Sequence, residues 1–239
     1  MDKIEIFKNF LLNNLNLLEF DGAGGENYRS PDFDLNPHDY LKFAKLELDS
    51  LTSTNSVNNK LHILNCVFHL KRAVDCQLDV FLYQLKLYDI VKDSNLGFER
   101  KLDFIKDIGI IESSSLARLN RLRNKMEHHY KYPDILEIQV YYDLVNAVVS
   151  LIESNIVTFL STVQLNLHTN ECRLDLEYNF SGNPNIILDL RYLGTSAPPT
   201  SITVDFVTER KEFTYYLKVA LLLGKSFFLN LQLDKNKLL

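Results

Sequence analysis

Cysteine is scarce in this sequence, which contains only Cys66, Cys76 and Cys172 among 239 residues. The three do not form the closely spaced pairs that bind zinc, and an odd number leaves one thiol over in any disulfide pairing. The pattern argues against a disulfide scaffold and is typical of a reducing cytoplasm. Cys66 and Cys76 lie in a strongly apolar helical pattern without an electropositive neighbour, so we expect core residues and not nucleophiles.

The chain also lacks an excess of positive charge. It has 26 Lys and Arg against 31 Asp and Glu, a formal net charge of -5. A protein that coats nucleic acid needs a broadly basic surface, so any contact with nucleic acid must be local here. Hydrophobic residues make up 46% and charged residues 24% of the sequence, as in a soluble globular protein with a substantial core.

No segment has the features of a signal peptide or a charge-free membrane span. The first twenty residues are apolar but carry Asp2, Lys3, Glu5 and Lys8, and they lack a small-residue cleavage site. No later segment is both long enough to span a membrane and free of charge. Internal repeats and low-complexity tracts are not visible either. We therefore expect a soluble cytoplasmic protein without a membrane partner.

The first two thirds of the chain show helical periodicity. Apolar residues at steps of three and four predict an N-terminal helix, and a Gly-, Pro- and Asp-rich linker follows it from residue 21. Asn36 and Pro37 are a good cap and first-turn residue for a second helix to about residue 52. A long helical pattern runs from about residue 60 to 93, and a shorter one covers 98–108.

Two further helices are predicted around Pro133. The segment 114–129 starts with a serine cluster suited to capping, and its inward face is formed by Leu116, Leu119, Leu122 and Met126. Pro133 ends that run, and Asp134 can cap a last long helix over 135–160. Long antiparallel helices with short breaks predict a helical bundle over residues 36–161.

After Ser161 the periodicity changes to strand-like alternation. Residues 163–167, 173–180, 185–192 and 201–206 alternate apolar and polar side chains, with a turn at 181–185 and a loop at 195–201. Residues 208–224 favour a helix and 227–233 a final strand. The predicted fold class is α+β, with residues 1–35 as N-terminal helix and linker, 36–161 as all-α bundle and 162–239 as a small α+β domain.

Basic and titratable residues are concentrated in one short stretch, "RLRNKMEHHYKY", at 121–132. Its members of this kind are Arg121, Arg123, Lys125, His128, His129 and Lys131. On an ideal helix five residues turn the chain by about 500°, so Arg123 and His128 point roughly 140° apart. Convergence is easier if two copies of the motif face each other across a twofold axis.

Such a cluster could cleave RNA without a metal. A neutral His can take the proton from a ribose 2′-OH, because its pKa lies near physiological pH. An Arg can bind the phosphate through two hydrogen bonds and stabilise the charge that develops in the transition state, and an Asn can position either group. The products would be a 2′,3′-cyclic phosphate and a 5′-hydroxyl, and DNA would be excluded because it lacks the 2′-OH.

The motif "RNKMEHHY" resembles the signature of the HEPN superfamily, an Arg and a His four to six residues apart with a polar residue after the Arg. It is most similar to the form with Tyr two places beyond the His, found in HepT-type toxins of toxin–antitoxin pairs. The resemblance covers about half of the chain and implies an all-α HEPN-like bundle that acts as a dimeric, metal-independent endoribonuclease without a cofactor. It implies Arg123 and His128 as the catalytic pair, Asn124 as helper and Tyr130 as a regulatory site that a partner protein modifies. The implied setting is a toxin–antitoxin or antiviral-defence system, with RNA as substrate and an antitoxin as possible partner.

Several alternatives remain open at this point. His128 and His129 could simply lie at a helix C-terminus, where cationic side chains offset the helix dipole. His129 could replace His128 as the base, and Glu127 and Asp75 could support the site. The protein could also be a non-catalytic HEPN-type scaffold, or a nucleotide sensor whose Arg–His cleft binds phosphate without cutting.

Other candidate residues have simpler interpretations. His62 and His69 share a helix face, but without a third ligand a packed or surface pair is expected. Lys71 and Asp75 have the spacing of a solvated salt bridge. "DGAGGE" lacks the Lys and Ser or Thr of a phosphate-binding loop, so it is a linker. Aromatic residues after position 170 could stack on bases but fit core packing better.

Overall fold

The computed structural model describes residues 2–51, 57–93, 97–111, 114, 117, 121, 124, 135–196 and 198–229. The helices within this part of the chain are α1 (Lys3–Asn14), α2 (Pro37–Asp49), α3 (Val57–Gln84), α4 (Tyr88–Asp93), α5 (Phe98–Asp107), α6 (Ile135–Ser161) and α7 (Arg210–Leu229), with a 3₁₀ turn at Leu15–Leu17. The strands are β1 (Glu19–Gly24), β2 (Gln164–His168), β3 (Cys172–Asn179), β4 (Asn185–Tyr192) and β5 (Thr200–Asp205). The expected mixture of helix and sheet is confirmed.

Helix α2 begins where the sequence predicts, with a complete capping box. The Asn36 side chain accepts hydrogen bonds from the backbone N–H groups of His38 and Asp39, at 2.9 and 3.1 Å. In return, the Asp39 carboxylate accepts one from the Asn36 N–H at 2.9 Å. These bonds satisfy N–H groups that the first turn of a helix leaves without partners, so the position of α2 in the chain is set locally.

Side-chain pairs show how α2, α3 and α6 pack. Glu47 of α2 meets His62 of α3, while Tyr40, earlier in α2, meets His69, later in α3. His38 meets Glu153 of α6, and Lys45 lies over the ring of Tyr142. Both α3 and α6 therefore run antiparallel to α2 and parallel to each other, and both end beside the sheet.

The long helical pattern from 60 to 93 is interrupted after Gln84. Lys86 has a φ of 53°, in the left-handed region, and divides α3 from α4. Leu85 and Leu87 are both fully buried at this break. The Tyr178 hydroxyl of β3 donates to the Leu85 carbonyl at 2.7 Å, and the Lys86 amine donates to the Phe180 carbonyl at 3.0 Å. The break therefore lets two leucines enter the core where the bundle meets the sheet.

The sheet is antiparallel throughout, with strands in the order β1 to β5. The four strands predicted after Ser161 are confirmed as β2 to β5. β1 lies in the segment predicted as a linker, where two glycines hide any alternation, and its pairing with β2 makes it a strand. A bulge between Phe20 and Gly22 accompanies that pairing.

Helix α1 packs with the C-terminal part of the chain. Its Phe7 ring lies 4.9 Å from the ring of Tyr216 in α7, and the Tyr216 hydroxyl donates to the Lys3 carbonyl at 2.9 Å. The Lys3 amine binds Glu209 at 2.6 Å. One continuous cluster of buried apolar residues joins α1, the bundle helices and the sheet. The boundaries at residues 35 and 161 stay a prediction.

Helix α7 is longer than the sequence pattern indicates. The predicted helix over 208–224 is confirmed in substance, but Phe227–Leu229, predicted to open a final strand, are its last helical residues. The Phe227 ring packs against the ring of Phe20 in β1, with centroids 4.8 Å apart. Tertiary contact with the sheet therefore overrides the local β preference of these aromatic residues.

By length and composition, residues Leu136–Ser161 of α6 could cross a membrane, with a mean hydropathy of 1.6. Ile138, Val145 and Ile152 on one side of this helix are fully buried in the bundle. The core helix of a soluble protein has the same length and composition. The finding is therefore a weak indication of a span and is consistent with a soluble protein.

Candidate functional site

Four described residues of the predicted motif helix, Ser114, Ala117, Arg121 and Asn124, are helical and exposed. Their spacing of three, four and three residues places them on one face of a helix. Asn124, the predicted helper, thus lies on an exposed helical face together with Arg121.

The remaining motif residues, Arg123, Glu127, His128, His129 and Tyr130, lie outside the described residues, and their roles stay predictions. The chain is described again from Ile135, the first residue of α6, and the predicted cap Asp134 lies outside the described residues. A long helix after Pro133 is therefore confirmed.

Asp75 lies on α3 in an ion-paired cluster. The Lys101 amine of α5 binds Asp75 Oδ1 at 3.0 Å and Asp79 Oδ1 at 2.5 Å. The Lys101 side chain is 13% exposed, and the two carboxylates are 21% exposed. The sequence spacing suggests Lys71 as the partner of Asp75, but the structure places Lys71 over the ring of Phe98, at 5.1 Å.

The cluster holds two carboxylates and one amine in a partly dry environment. Burial raises the pKa of Asp79, and the bond and charge of Lys101 offset this only in part. Burial acts to lower the pKa of Lys101, but its bond to Asp79 and the charges of Asp75 and Asp79 raise it overall. Lys101 therefore stays protonated and holds α5 against α3, and the Asp75 carboxylate is engaged in that contact.

A cavity of about 380 Å³ opens beside this cluster, lined by Asp75, Asp79, Arg72, Cys76 and Tyr88 among others. Burial, with the nearby Asp79 and Asp75 charges, raises the pKa of the Cys76 thiol to about 11. Burial raises the pKa of Cys66 to about 12. Both thiols are protonated at neutral pH, which agrees with the expectation that neither is a nucleophile.

His62 and His69 face α2 and have different surroundings. His62 Nδ1 contacts the Glu47 carboxylate at 2.5 Å. The His69 ring lies 5.4 Å from the ring of Phe43, and burial lowers its pKa. Among the described residues, no group of three or more His, Cys, Asp and Glu side chains could hold a metal ion. The two histidines serve the packing of α2 on α3.

A larger cavity of about 790 Å³ lies between α1, α5 and α7. The face of α7 that lines it is basic, with Arg210, Lys211 and Lys218, and carries the Tyr215 ring. The other walls carry both signs of charge: Glu5 and Lys8 of α1, and Arg100, Asp103 and Asp107 of α5. This cavity could not be predicted from the sequence, because its residues come from three distant segments with no shared motif.

Comparison with known proteins adds no relative. No protein-family model matches the chain, and no curated protein or solved structure is significantly similar to it.

Proposed function

We propose that the protein is a metal-independent endoribonuclease of the HEPN type, which acts in the cytoplasm as a dimer and serves as a toxin or antiviral-defence effector. The observation that carries the proposal is the motif "RNKMEHHY". The exposed helical position of Asn124 and the long helix α6 that follows Pro133 support it.

In this mechanism His128 takes the proton from a ribose 2′-OH, and the freed 2′-oxygen attacks the adjacent phosphorus. Arg123 binds the phosphate oxygens and stabilises the charge that develops on them. The bond to the 5′-oxygen breaks, that oxygen takes a proton from water, and the imidazolium of His128 returns its proton to the solvent. Asn124 orients the phosphate or the imidazole, and His129 and Glu127 are supporting groups.

The charge distribution is consistent with a local RNA site on an otherwise acidic protein. Six basic side chains (Arg, Lys and His) fall within residues 121–132, and Arg121 is exposed. Asp75 is a weaker candidate for a catalytic base, because Lys101 already binds its carboxylate. We assign Asp75 to the structural contact between α3 and α5.

The proposed function also includes regulation, through Tyr130 and through the sheet with α7. A toxic nuclease must be restrained, and Tyr130 beside His128 is the position where modification by a partner would block the site. The sheet with α7 carries no catalytic constellation among its described residues, so we propose that it docks an antitoxin or other regulatory protein.

The proposal is tested by incubating purified protein with total RNA in EDTA, beside the variants His128→Ala and Arg123→Ala. We expect the wild type to cut and to leave cyclic phosphate ends. Each variant should lose a factor of about 10²–10⁴ in rate, since general-base and transition-state contacts contribute on that scale.

Arg121→Ala is the matched control, because it removes an exposed arginine from the same helix without touching the proposed catalytic pair. It should retain cleavage within about tenfold, the effect of losing one phosphate contact. Equal cutting by wild type and His128→Ala would contradict the proposal. In that case the histidines belong to a helix C-terminus.

The cavity between α1, α5 and α7 favours a second candidate, a nucleotide sensor. Its basic residues could bind phosphates, and a base could stack on the Tyr215 ring if it displaced the Lys8 amine, which lies 5.6 Å from the centre of that ring. A thermal shift with a nucleoside triphosphate that is lost in Arg210→Ala, in a protein that leaves RNA intact, would support this function over the nuclease. An intact fold with neither activity would support a scaffold role.

A further inference from the structure

Two helix ends of opposite charge line the cavity between α1, α5 and α7. Arg210 and Lys211 lie in the first turn of α7, and Asp103 and Asp107 lie in the last two turns of α5. All four side chains line the cavity, and all four residues are exposed. The basic beginning of one helix and the acidic end of another therefore border one space of about 790 Å³.

Packing contacts hold α5 alongside the first half of α7. The Phe104 ring of α5 lies 6.2 Å from the ring of Phe206, which precedes α7. The Arg210 guanidinium lies 5.1 Å from the centre of the same Phe206 ring. Just beyond the end of α5, a Cβ at Gly109 would lie 3.7 Å from Cγ of Lys218. The two helices therefore run in the same direction here, and the acidic residues of α5 lie along the basic stretch of α7.

The charges at both helix ends have the unfavourable sign. The helix dipole favours anions at the N-terminus and cations at the C-terminus, but Arg210 and Lys211 are cations at an N-terminus and Asp107 is an anion at a C-terminus. Asp103 and Asp107 are also four residues apart on one helix, so their carboxylates repel each other. Two residues with the favourable sign in these turns do not line the cavity: Lys106 and Glu212.

Neighbouring side chains do not neutralise these charges. Within the part of the chain that the structure describes, Arg210, Lys211, Lys218, Asp103 and Asp107 form no ion pair. The smaller cavity differs in this respect, because one lysine binds both of its carboxylates. In the larger cavity, opposite charges line the same space without touching, so a molecule placed between them can contact both.

We propose that this cavity binds a small zwitterion, with a phosphate or carboxylate group at Arg210 and Lys211 and a primary amine at Asp103 and Asp107. Both contacts are charge-assisted hydrogen bonds. Such a ligand offsets the unfavourable charge at both helix ends, whereas a ligand of one sign offsets only one of them. A nucleoside triphosphate has no cationic group for the acidic side. This proposal does not rest on the proposed nuclease function.

The exposure of the four residues predicts weak, salt-sensitive binding. A pair of exposed charges contributes about a factor of five or less to an equilibrium constant. In 1 M salt the screening length falls to about 3 Å, so most of the binding should be lost.

Calorimetry on the full chain at low salt tests the site with matched probes. 6-Aminohexyl phosphate carries both groups, hexyl phosphate only the anion and hexylamine only the amine. We expect the first to bind about fivefold tighter than either of the others, the scale of one exposed charge pair. Equal affinity for 6-aminohexyl phosphate and hexyl phosphate would overturn the proposal. Tighter binding of ATP than of 6-aminohexyl phosphate would also overturn it and would favour the nucleotide sensor. 6-Aminohexanoate shows whether a carboxylate can replace the phosphate.

Two double variants locate the two ends of the ligand. Arg210→Gln with Lys211→Gln should lower the affinity for 6-aminohexyl phosphate to that of the wild type for hexylamine. Asp103→Asn with Asp107→Asn should lower it to that of the wild type for hexyl phosphate. Wild-type affinity in both double variants would overturn the placement of the ligand in this cavity.

Thermal unfolding without ligand gives an independent readout. Both double variants should melt about 1–3 °C above the wild type, because they remove charge of the unfavourable sign from a helix end. Arg191→Gln on β4 and Asp143→Asn on α6 are the controls, since both residues are exposed and neither lines the cavity. The controls should match the wild type in affinity. Double variants that melt at or below the wild-type temperature would show that these charges are not unfavourable in the fold, and would overturn the proposal.

Discussion

At the scale of single residues, Asp75 shows how a partner distant in sequence decides a side chain's role. Its carboxylate is bound by Lys101, 26 residues further along the chain. The i,i+4 spacing to Lys71 could suggest a surface salt bridge, but it could not reveal that α5 supplies an amine here. Because this ion pair joins two helices, we expect its loss to lower the stability of the fold and not to change catalysis directly.

Asp75→Asn is predicted to leave RNA cleavage unchanged and to destabilise the fold by about 1 kcal/mol, since Lys101 retains Asp79. Lys101→Met should cost more, about 2–4 kcal/mol, because it removes the amine that bonds both of the largely buried carboxylates. Urea unfolding measures both losses, and the EDTA cleavage assay measures activity. A cleavage defect in a fully folded Asp75→Asn protein would mean that Asp75 takes part in the proposed cleavage site.

The buried hydroxyl of Tyr178 should make the stability of the fold depend on pH in the alkaline range. Burial raises its pKa well above 10.0, and its hydroxyl is bonded to the Leu85 carbonyl. The pKa of Tyr178 is higher in the folded chain than in the unfolded one. The stability that the neutral phenol contributes is therefore fully present below pH 10 and is lost as the pH rises above that value. The expected slope for this phenol is about 1.4 kcal/mol per pH unit.

Tyr178→Phe should cost about 1–2 kcal/mol at pH 8, because the buried Leu85 carbonyl loses its donor. It should also make the decline above pH 10 shallower. Guanidinium unfolding at pH 8, 10 and 11 measures both effects. The stability of the variant should still decline somewhat at high pH, because burial also raises the pKa of Tyr215, to about 12. An unchanged slope would show that Tyr178 is not held neutral by the fold.

At the scale of helices and strands, local pattern predicts what local forces determine. The cap at Asn36 and the apolar steps predict α1 and α2, and two-residue alternation predicts β2 to β5. β1 has no such signal, because Gly22 and Gly24 contribute no side chain and its pairing partner is far away in the chain. The end of α3 at Gln84 depends on the sheet through Tyr178, and no property of residues 84–88 alone reveals it.

The same distinction applies to the candidate site. The proposed Arg–His motif can be recognised in the sequence because its residues lie within eight consecutive positions. The Lys101 cluster and the cavity between α1, α5 and α7 are assembled from separate segments, so only the three-dimensional structure reveals them.

The crossing of α6 and α7 depends on a glycine. A Cβ at Gly224 would lie 2.6 Å from the Thr162 hydroxyl oxygen, which donates to the Thr158 carbonyl at the end of α6. Gly224→Ala should therefore destabilise the fold by about 1–3 kcal/mol through overpacking. Thermal unfolding measures the effect.

Gly22→Ala is the matched control, because the nearest atom to its new Cβ would be Asn166 Oδ1 at 4.0 Å. It should change stability by less than about 1 kcal/mol. Combining Thr162→Ala with Gly224→Ala should recover part of the loss, since the clashing hydroxyl is gone. If the losses of stability from Thr162→Ala and Gly224→Ala are strictly additive, the Thr162 hydroxyl is not the source of the overpacking.

At the scale of the whole molecule, the pairing of β1 with β2 has a consequence for biosynthesis. Residues 25–163 separate the two strands, so β1 and α1 leave the ribosome long before their partners in β2 and α7 exist. The bundle helices can form from local contacts as they emerge, whereas the sheet closes only after most of the chain has been made. Until then, the apolar side of α1, with Phe7 and Leu11, has no partner in α7. A nascent chain of this protein should thus recruit a holdase to its first twenty residues throughout translation, and release should coincide with synthesis of α7.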